Sequence, residues 1–401
     1  MAGPLTGYRV LDMSRVLAGP WAGQLLADLG ADVIKVERPK VGDDTRHWGP
    51  PYLKDATGAD TEDAAYFFSA NRGKRSLTVD ITQPEGQDII RKLASKVDVL
   101  IENYKVGGLA KYGLDYSSLE KLNPKLVYCS ITGFGQTGPY AQRPGYDFLI
   151  QGMAGLMSVT GEPDSQNGGG PTKVGVAVTD IFTGLYAANA IQGALLERHH
   201  SGMGQYIDLA LLDVQAAVMA NQASNYLIGG QIPGRLGNAH PNIVPYQAFA
   251  TLDSHVIVAV GNDQQFQRFC KAIGEPKWAD DQRYATNTAR VNNRVTLCGQ
   301  ITKHLKQQNS QYWLSKFEDH AVPCGPINTI DQVFDDPQIQ SRNMVLTMQD
   351  PRAGELKLVA NPINYSRSQI EYHLAPPQLG NQTIEILQEY LEYAETTVKV
   401  L

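Results

Sequence analysis

The 401-residue sequence predicts an α/β fold, a parallel sheet flanked by helices, with a smaller α+β domain inserted late in the chain. Three observations carry this. Short apolar or β-branched strands alternate with helical stretches through the first half of the chain. Polar, glycine-bearing loops follow the C-terminal ends of those strands. Near Gly229 the composition shifts, and Val256, Val258 and Val260 then alternate as in a hairpin.

Val10-Leu11 reads as a short buried strand. Ser14 to Gly23 leads into a helix through Leu29, and Val33-Ile-Lys-Val-Glu37 is a second strand, completing a βαβ unit. Glu37 stands where a ribose-binding acid would stand in a nicotinamide fold, but Gly19-Pro-Trp-Ala-Gly23 is not G-x-G-x-x-G, and Pro20 removes an N–H that a pyrophosphate would need. Asn71-Arg-Gly-Lys-Arg75 reads as a basic turn before the strand Ser76–Asp80. Pro84 opens an amphipathic helix with Ile89, Ile90 and Leu93 on one face. Strands follow at Asp98–Glu102 and Leu126–Ser130, then a helix from Asp147 to Leu156 and a glycine-rich loop, Gly161–Pro171. A strand at Gln205–Leu209 precedes one long apolar helix to Tyr226. Gly229–Pro241 is a linker or loop, helical segments lie around 264–273 and 290–305, and Val322-Pro-Cys-Gly-Pro-Ile-Asn328 returns the chain to the first domain. The divisions are 1–225, 226–325 and 326–401.

Hydrophobic residues make up 42% and charged residues 19%, a composition that can build a packed core. A net charge of −6 argues against non-specific nucleic-acid binding. The four cysteines form no C-x-x-C pair, so zinc and redox motifs are absent and no metal site is expected. The N-terminus lacks the basic-then-apolar pattern of a signal peptide, and no apolar run approaches the ~20 residues of a membrane span. A soluble, cytoplasmic protein is the expectation.

Lys173-Val-Gly-Val-Ala-Val-Thr-Asp180 runs from an extended segment into a helix reaching about His199, which puts Asp180 at or next to a helix N-terminus. Asp180 is then either an N-cap, accepting backbone N–H bonds, or an ionised nucleophile. Pattern alone does not separate the two.

A set of motifs, in order along nearly the whole chain, resembles the class III coenzyme A transferases, the family of formyl-CoA:oxalate and carnitine CoA-transferases. They are Asp12–Pro20, Val33–Arg38, Gly42–Arg46, Asn71–Ser76, Glu102-Asn-Tyr104, Gly133-Phe-Gly135, Gly145-Tyr-Asp147 and Val322–Pro326. Asn225–Gly229, Ile243–Phe249 and Gly261–Phe266 resemble the succinyl-CoA:glutarate branch. The resemblance implies a Rossmann-like domain built from both chain ends, a small domain inserted between, and two such chains interlocked as a homodimer. It makes Asp180 the nucleophile, attacking the acyl-CoA thioester to give a mixed anhydride and then an aspartyl-CoA thioester. It implies an acyl-CoA and a free carboxylic acid as substrates, succinyl-CoA and glutarate or another short dicarboxylate, and no tightly bound cofactor.

By position, Leu17 and Ala18 would line the CoA path and Arg38 would meet a phosphate. Val79, Asp80, Ile81 and Thr82 would flank the nucleotide, with Asn103, Tyr104 and Lys105 on the pantetheine side. Lys111 stands where the oxalate enzyme has an arginine, Thr132 replaces a lysine, and Leu17 replaces a glutamine, the last arguing against oxalate. The second carboxylate of a dicarboxylate needs a cation, for which Arg15, Arg46, Arg235 and His240 are candidates. The glycine-rich loops at 168–170 and 229–237 are candidate lids. Two other readings remain: a 2-methylacyl-CoA racemase of the same superfamily, and a non-catalytic acyl-CoA-binding protein. The racemases use a histidine base in a G-H-D segment. Tyr146, with a pKa near ~10, is a poor substitute for it.

Overall fold

The computed structural model describes residues 2–393. It divides into two compact units; the second takes Met157–Lys173 and Ser224–Asp336, and the first the described remainder.

The first unit runs β1 (Arg9–Asp12), α1 (Ala18–Asp28), β2 (Asp32–Glu37), a small hairpin of β3 (Tyr52–Lys54) and β4 (Asp60–Ala64), then α2 (Ala65–Phe68). It continues with β5 (Lys74–Thr78), α3 (Pro84–Ala94), β6 (Val99–Glu102), α4 (Tyr116–Leu119), β7 (Val127–Thr132) and α5 (Asp147–Met153). After α6 (Leu156–Val159), which passes into the second unit from residue 157, the first unit resumes with α7 (Val178–Ser201), β8 (Tyr206–Ala210) and α8 (Leu211–Ala217). Six strands pair in parallel in the order β5-β2-β1-β6-β7-β8.

A parallel sheet covered on both faces requires apolar residues pointing both ways, which is why its strands read as near-continuous apolar runs. Leu11, Ile34, Leu77 and Leu100 meet Ile89, Ile90 and Leu93 of α3 on one face. Val10, Val33, Val99 and Val127 meet Ala22 and Leu26 of α1 and Ala187, Ile191 and Leu195 of α7 on the other. α3 forms where expected. Pro84 sits in its first turn with Glu85, and Arg91 and Lys92 lie in its last turn, so its charges complement the helix dipole. α1 and α7 approach closely at Gly184, where a Cβ would stand 2.7 Å from the Ala18 carbonyl oxygen.

β5 begins at Lys74, so Lys74 and Arg75 are strand residues and not part of a basic turn. Each has a carboxylate partner in the same sheet: Lys74 pairs with Asp12 of β1, two strands away, at 2.8 Å, and Arg75 with Asp32 of the adjacent β2 at 2.5 Å. The long apolar helix expected up to Tyr226 is two helices, α8 and α9 (Ala220–Gly229), separated where Ala220 takes a positive φ of 44°.

The second unit adds β9 (Tyr246–Ala250), β10 (His255–Ala259), α10 (Asp263–Ala272), α11 (Asn287–Asn292), α12 (Arg294–Leu305), α13 (Ser310–Asp319) and β11 (Cys324–Gly325). Its sheet is antiparallel, β11-β10-β9. Asn262 and Asn309 cap α10 and α13 with their side chains, and Phe266, Phe269 and Phe317 build the core between them. The loop 157–173 belongs here and not with the first domain, to which its place in the chain assigned it. Arg235 donates to the Glu162 carbonyl at 3.1 Å and pairs with Asp164, and Gly237 N–H donates to the Gly161 carbonyl at 3.1 Å. The two glycine-rich loops are thereby clasped to each other. The unit also extends to α14 (Ile330–Asp335), about ten residues beyond the expected boundary.

The chain then re-enters the first unit through α15 (Pro337–Ser341), the hairpin β12 (Val345–Asp350) and β13 (Gly354–Val359), and α16 (Thr383–Leu391). α16 packs Ile386, Leu387 and Tyr390 into the same core as β1 and α3. Both chain ends therefore build the large unit. Among the described residues no helix is long and apolar enough to cross a membrane.

Candidate active site

In a parallel sheet each connecting helix starts on the side of the strands' C-terminal ends, so α7 delivers its first turn to the face where ligands of such sheets bind. Thr179 and Asp180 are in that first turn. Asp180 is not the N-cap. The residue at that position is Ala177, which has no side chain to cap with. The cap comes from α5 instead. The Asp147 carboxylate accepts the Thr179 N–H at 2.8 Å and lies 3.4 Å from the Asp180 N–H, filling donors the helix start leaves open.

Asp147 is itself held. Gln151 Nε2 donates to its other oxygen at 2.7 Å, and Gln151 in turn accepts the Val174 N–H at 3.0 Å. Thr179 donates its hydroxyl to Gln215 Oε1 at 2.7 Å. Asp180 is only 9% exposed. Burial, and then the Asp147 charge, push its carboxyl up to about 7. The Tyr66 phenol feels the charge of the same group. Burial and then the charges of Asp180, Asp147 and Asp43 push it up to about 12, so it stays a protonated donor.

A cavity of about 390 Å³, with Asp43 in its wall, lies at the C-terminal ends of β2, β5 and β6. Arg38, Val79, Asp80, Ile81, Thr82, Tyr104, Lys105 and Lys111 line it, together with Arg15. The acidic groups in its inner wall are already spoken for. Glu37 binds Arg46 through both oxygens, at 2.8 and 2.7 Å, and accepts Ser76 Oγ at 2.7 Å. Asp43 takes Lys35 at 2.8 Å and the Thr45 N–H and hydroxyl at 3.0 and 2.8 Å. Arg38, Lys105 and Lys111 remain exposed at its edge. A pocket with satisfied anions beneath and exposed cations around it suits a long, multiply phosphorylated ligand. Among the described residues no cluster of three His, Cys, Asp or Glu side chains is placed to hold a metal ion.

Residues 5–383 match the family model described as CoA-transferase family III. The chain belongs to this family. A succinate–glutarate CoA-transferase of Agrobacterium fabrum is 54% identical over 98% of this chain and 97% of its own length. A succinyl-CoA:glutarate CoA-transferase of Mus musculus is 44% identical over 99% and 89%. The crystal structure of a CAIB/BAIF family protein from Brucella suis superposes with a TM-score of 0.84 at 49% identity, covering 97% of this chain and all of that one.

In this CoA-transferase the cavity gathers eight of the eleven positions expected to meet CoA. Leu17 and Ala18 are buried at the start of α1, outside its lining. Asn103 uses its amide on the protein, accepting the Arg15 N–H at 2.9 Å and donating to the Arg15 carbonyl at 2.7 Å. Thr132 accepts the Gly135 N–H at 2.9 Å, so its hydroxyl shapes the following turn. Of the four cations considered for a second carboxylate, Arg46 is buried among Glu37, Asp63 and the Pro377 carbonyl and presents nothing to a substrate. Arg235 and His240 lie in the second unit. Arg235 is occupied by the loop it clasps, and His240 accepts the Asn242 N–H at 3.1 Å. Arg15 is exposed, 3.1 Å from Asp44 and 5.7 Å above the Tyr104 ring.

The residue after Arg15 departs from ordinary backbone geometry. Val16 has φ +71°, a conformation a β-branched residue rarely adopts. The Asn103 clasp on Arg15 and the Asp43 carboxylate, 3.3 Å from the Val16 N–H, hold it there. Val16→Gly is therefore expected to raise stability by about 1 kcal/mol in urea unfolding, strain relief exceeding the entropy cost of glycine. An unchanged or lower midpoint would show that the turn is relaxed.

The sequence reading gave no role to Asp147, Tyr66, Gln151 or Gln215. Asp147 was visible in the Gly145-Tyr-Asp motif and at a helix start, but its contact is with a helix 32 residues on, which no local pattern signals.

Proposed function

We propose that this CoA-transferase carries CoA from succinyl-CoA to glutarate, with Asp180 as the acyl acceptor. The observation that carries the role of Asp180 is its placement: a buried carboxylate in the first turn of α7 whose capping duty is taken by Asp147. The names of the two relatives support the choice of acids, both specifying succinate or succinyl-CoA with glutarate.

The Asp180 carboxylate attacks the thioester carbonyl carbon, and the C–S bond breaks with its electron pair leaving on the CoA thiolate. The mixed anhydride is attacked in turn by that thiolate, which releases succinate and leaves an aspartyl-CoA thioester. Glutarate then attacks the aspartyl carbonyl, and the steps run in reverse. The thioester energy is conserved, and no proton has to move, so the reaction needs no acid–base residue beside the carboxylate. Arg38, Lys105 and Lys111 meet the phosphates of CoA, and Arg15 serves the far carboxylate of the acid.

Homodimerisation is part of this reading. Phe148, Leu149 and Met153 of α5 and Phe182, Leu185 and Tyr186 of α7 are all exposed, an apolar surface that a second copy would cover. The free thiols of all four cysteines suit a reducing cytoplasm.

The test is CoA exchange followed by mass spectrometry, with succinyl-CoA and a panel of free acids. Glutaryl-CoA is the expected leading product. Preferential transfer to a monocarboxylate, or no transfer to any acid, would overturn the assignment.

A further inference from the structure

We infer that Asp147 is a positioning residue for the transfer: by capping α7 in place of Asp180, it fixes the first turn of that helix and withholds from the Asp180 carboxylate the backbone donors that would otherwise quiet it. The inference rests on Asp180 being the acyl acceptor and says what makes it reactive.

A carboxylate in the first turn of a helix normally gains from that location. Open N–H groups and the positive end of the dipole stabilise its charge and lower its basicity. Such an aspartate is a good cap and a poor nucleophile. Here the Thr179 N–H goes to Asp147 at 2.8 Å, and the Asp180 N–H points at the same oxygen from 3.4 Å. Among the described residues, no donor within hydrogen-bond distance holds the Asp180 carboxylate. The capping charge is also a second carboxylate beside the first. It disfavours the anion of Asp180, and that cost disappears once Asp180 is acylated and neutral. Asp147 thus favours the anhydride and thioester intermediates over the resting carboxylate.

Asp147 is built to stay in place. Gln151, one turn along α5, donates to its outer oxygen at 2.7 Å. The same glutamine accepts the Val174 N–H at 3.0 Å, so the chain entering α7 is tied to the capping group. The other charges on elements packed against α7 are committed elsewhere. Asp28 of α1 pairs with Arg72 at 2.6 Å, Asp208 of β8 accepts the Gln136 N–H at 3.1 Å, and Asp213 of α8 is exposed. Tyr128, Cys129 and Tyr206 on the adjoining strands are pushed up by burial and stay neutral, as does Tyr66.

The test is single-turnover acylation of the full-length protein by succinyl-CoA, followed by intact mass across pH 5 to 9. In the unaltered protein a covalent adduct is expected to form with an acid limb near the Asp180 value of about 7. Asp147→Asn keeps an acceptor oxygen and removes the charge. It is expected to move the acid limb down by about one pH unit and slow the plateau rate about tenfold, with the KM for succinyl-CoA unchanged. Asp147→Glu restores a charge on a longer arm and should keep the acid limb near that of the unaltered protein while slowing acylation. An unmoved acid limb in the Asn variant, or a lowered one in the Glu variant, overturns the electrostatic role of Asp147. Failure to find any adduct in the unaltered protein would instead overturn the role of Asp180.

Discussion

Asp180→Asn is expected to abolish CoA exchange and, above pH 7, to make the protein harder to unfold. The first half follows from the role proposed for Asp180 as the nucleophile. An amide cannot form the anhydride, and the loss should exceed about a thousandfold, in line with the removal of other covalent nucleophiles. The second half follows from burial. Asp180 ionises at about 7 in the folded chain against 3.8 for a free aspartate, because burial and the Asp147 charge disfavour its anion. The folded state thus holds this proton more tightly than the unfolded state does, and stability falls as pH rises between those two values. Below pH 3.8 the group is protonated in both states and costs nothing; above about 7 the cost is complete, on the order of 4 kcal/mol. Urea unfolding at pH 4 and pH 8 should show the Asn variant gaining its advantage only at the higher pH. Equal midpoints at pH 8 would mean that the carboxylate is comfortable where it is.

Arg46→Ala is expected to act in the opposite sense, costing about 3–5 kcal/mol of stability. Arg46 is 2% exposed, grips Glu37 through both oxygens and reaches Asp63 at 2.8 Å, while its guanidinium lies 3.6 Å from the Phe67 ring centroid. Removing it leaves Glu37 buried with a charge that Ser76 and the Asp43 N–H only partly offset. Glu37 sits below the usual carboxylate range, burial opposing and the Arg46 hydrogen bonds prevailing, so the network holds at neutral pH. Unfolding midpoints read the loss directly. If Arg46 instead bound the second carboxylate of the acid, the variant would keep its midpoint and show a raised KM for glutarate.

Those two residues mark how far the sequence could be read. The sheet was legible because strands covered on both faces need apolar runs, and β1, β2, β6 and β7 each carry one, at Val10-Leu11, Val33-Ile34, Val99–Ile101 and Val127–Cys129. β5 was displaced because Lys74 and Arg75 look like turn residues until Asp12 and Asp32, 62 and 43 residues away, are placed beside them. Arg46 looked available for the same reason. A loop arginine reads as exposed, and only the fold shows Glu37, Asp63 and Pro377 converging on it. Asp180 was legible as a residue at a helix start, and the family motifs suggest the role proposed for it, but its freedom from capping depends on Asp147. The positions expected to meet CoA divide likewise. Loops at strand ends were identifiable, and most line one cavity, whereas Asn103 sits in such a loop and serves the Arg15 backbone.

The closing of the large core by α16 bears on how the protein is made. β1 and β2 leave the ribosome early, yet Ile386, Leu387 and Tyr390, which complete one face of their core, are synthesised near the end. Arg75 likewise waits for Glu385 and Glu389. The continuous stretch Ser224–Asp336, with its own aromatic core, has what it needs to fold while the chain is still being translated. The first unit does not. Its opening strands spend most of synthesis with one flank uncovered, so a nascent chain stalled before Thr383 presents bare apolar surface to the cell's chaperones and proteases.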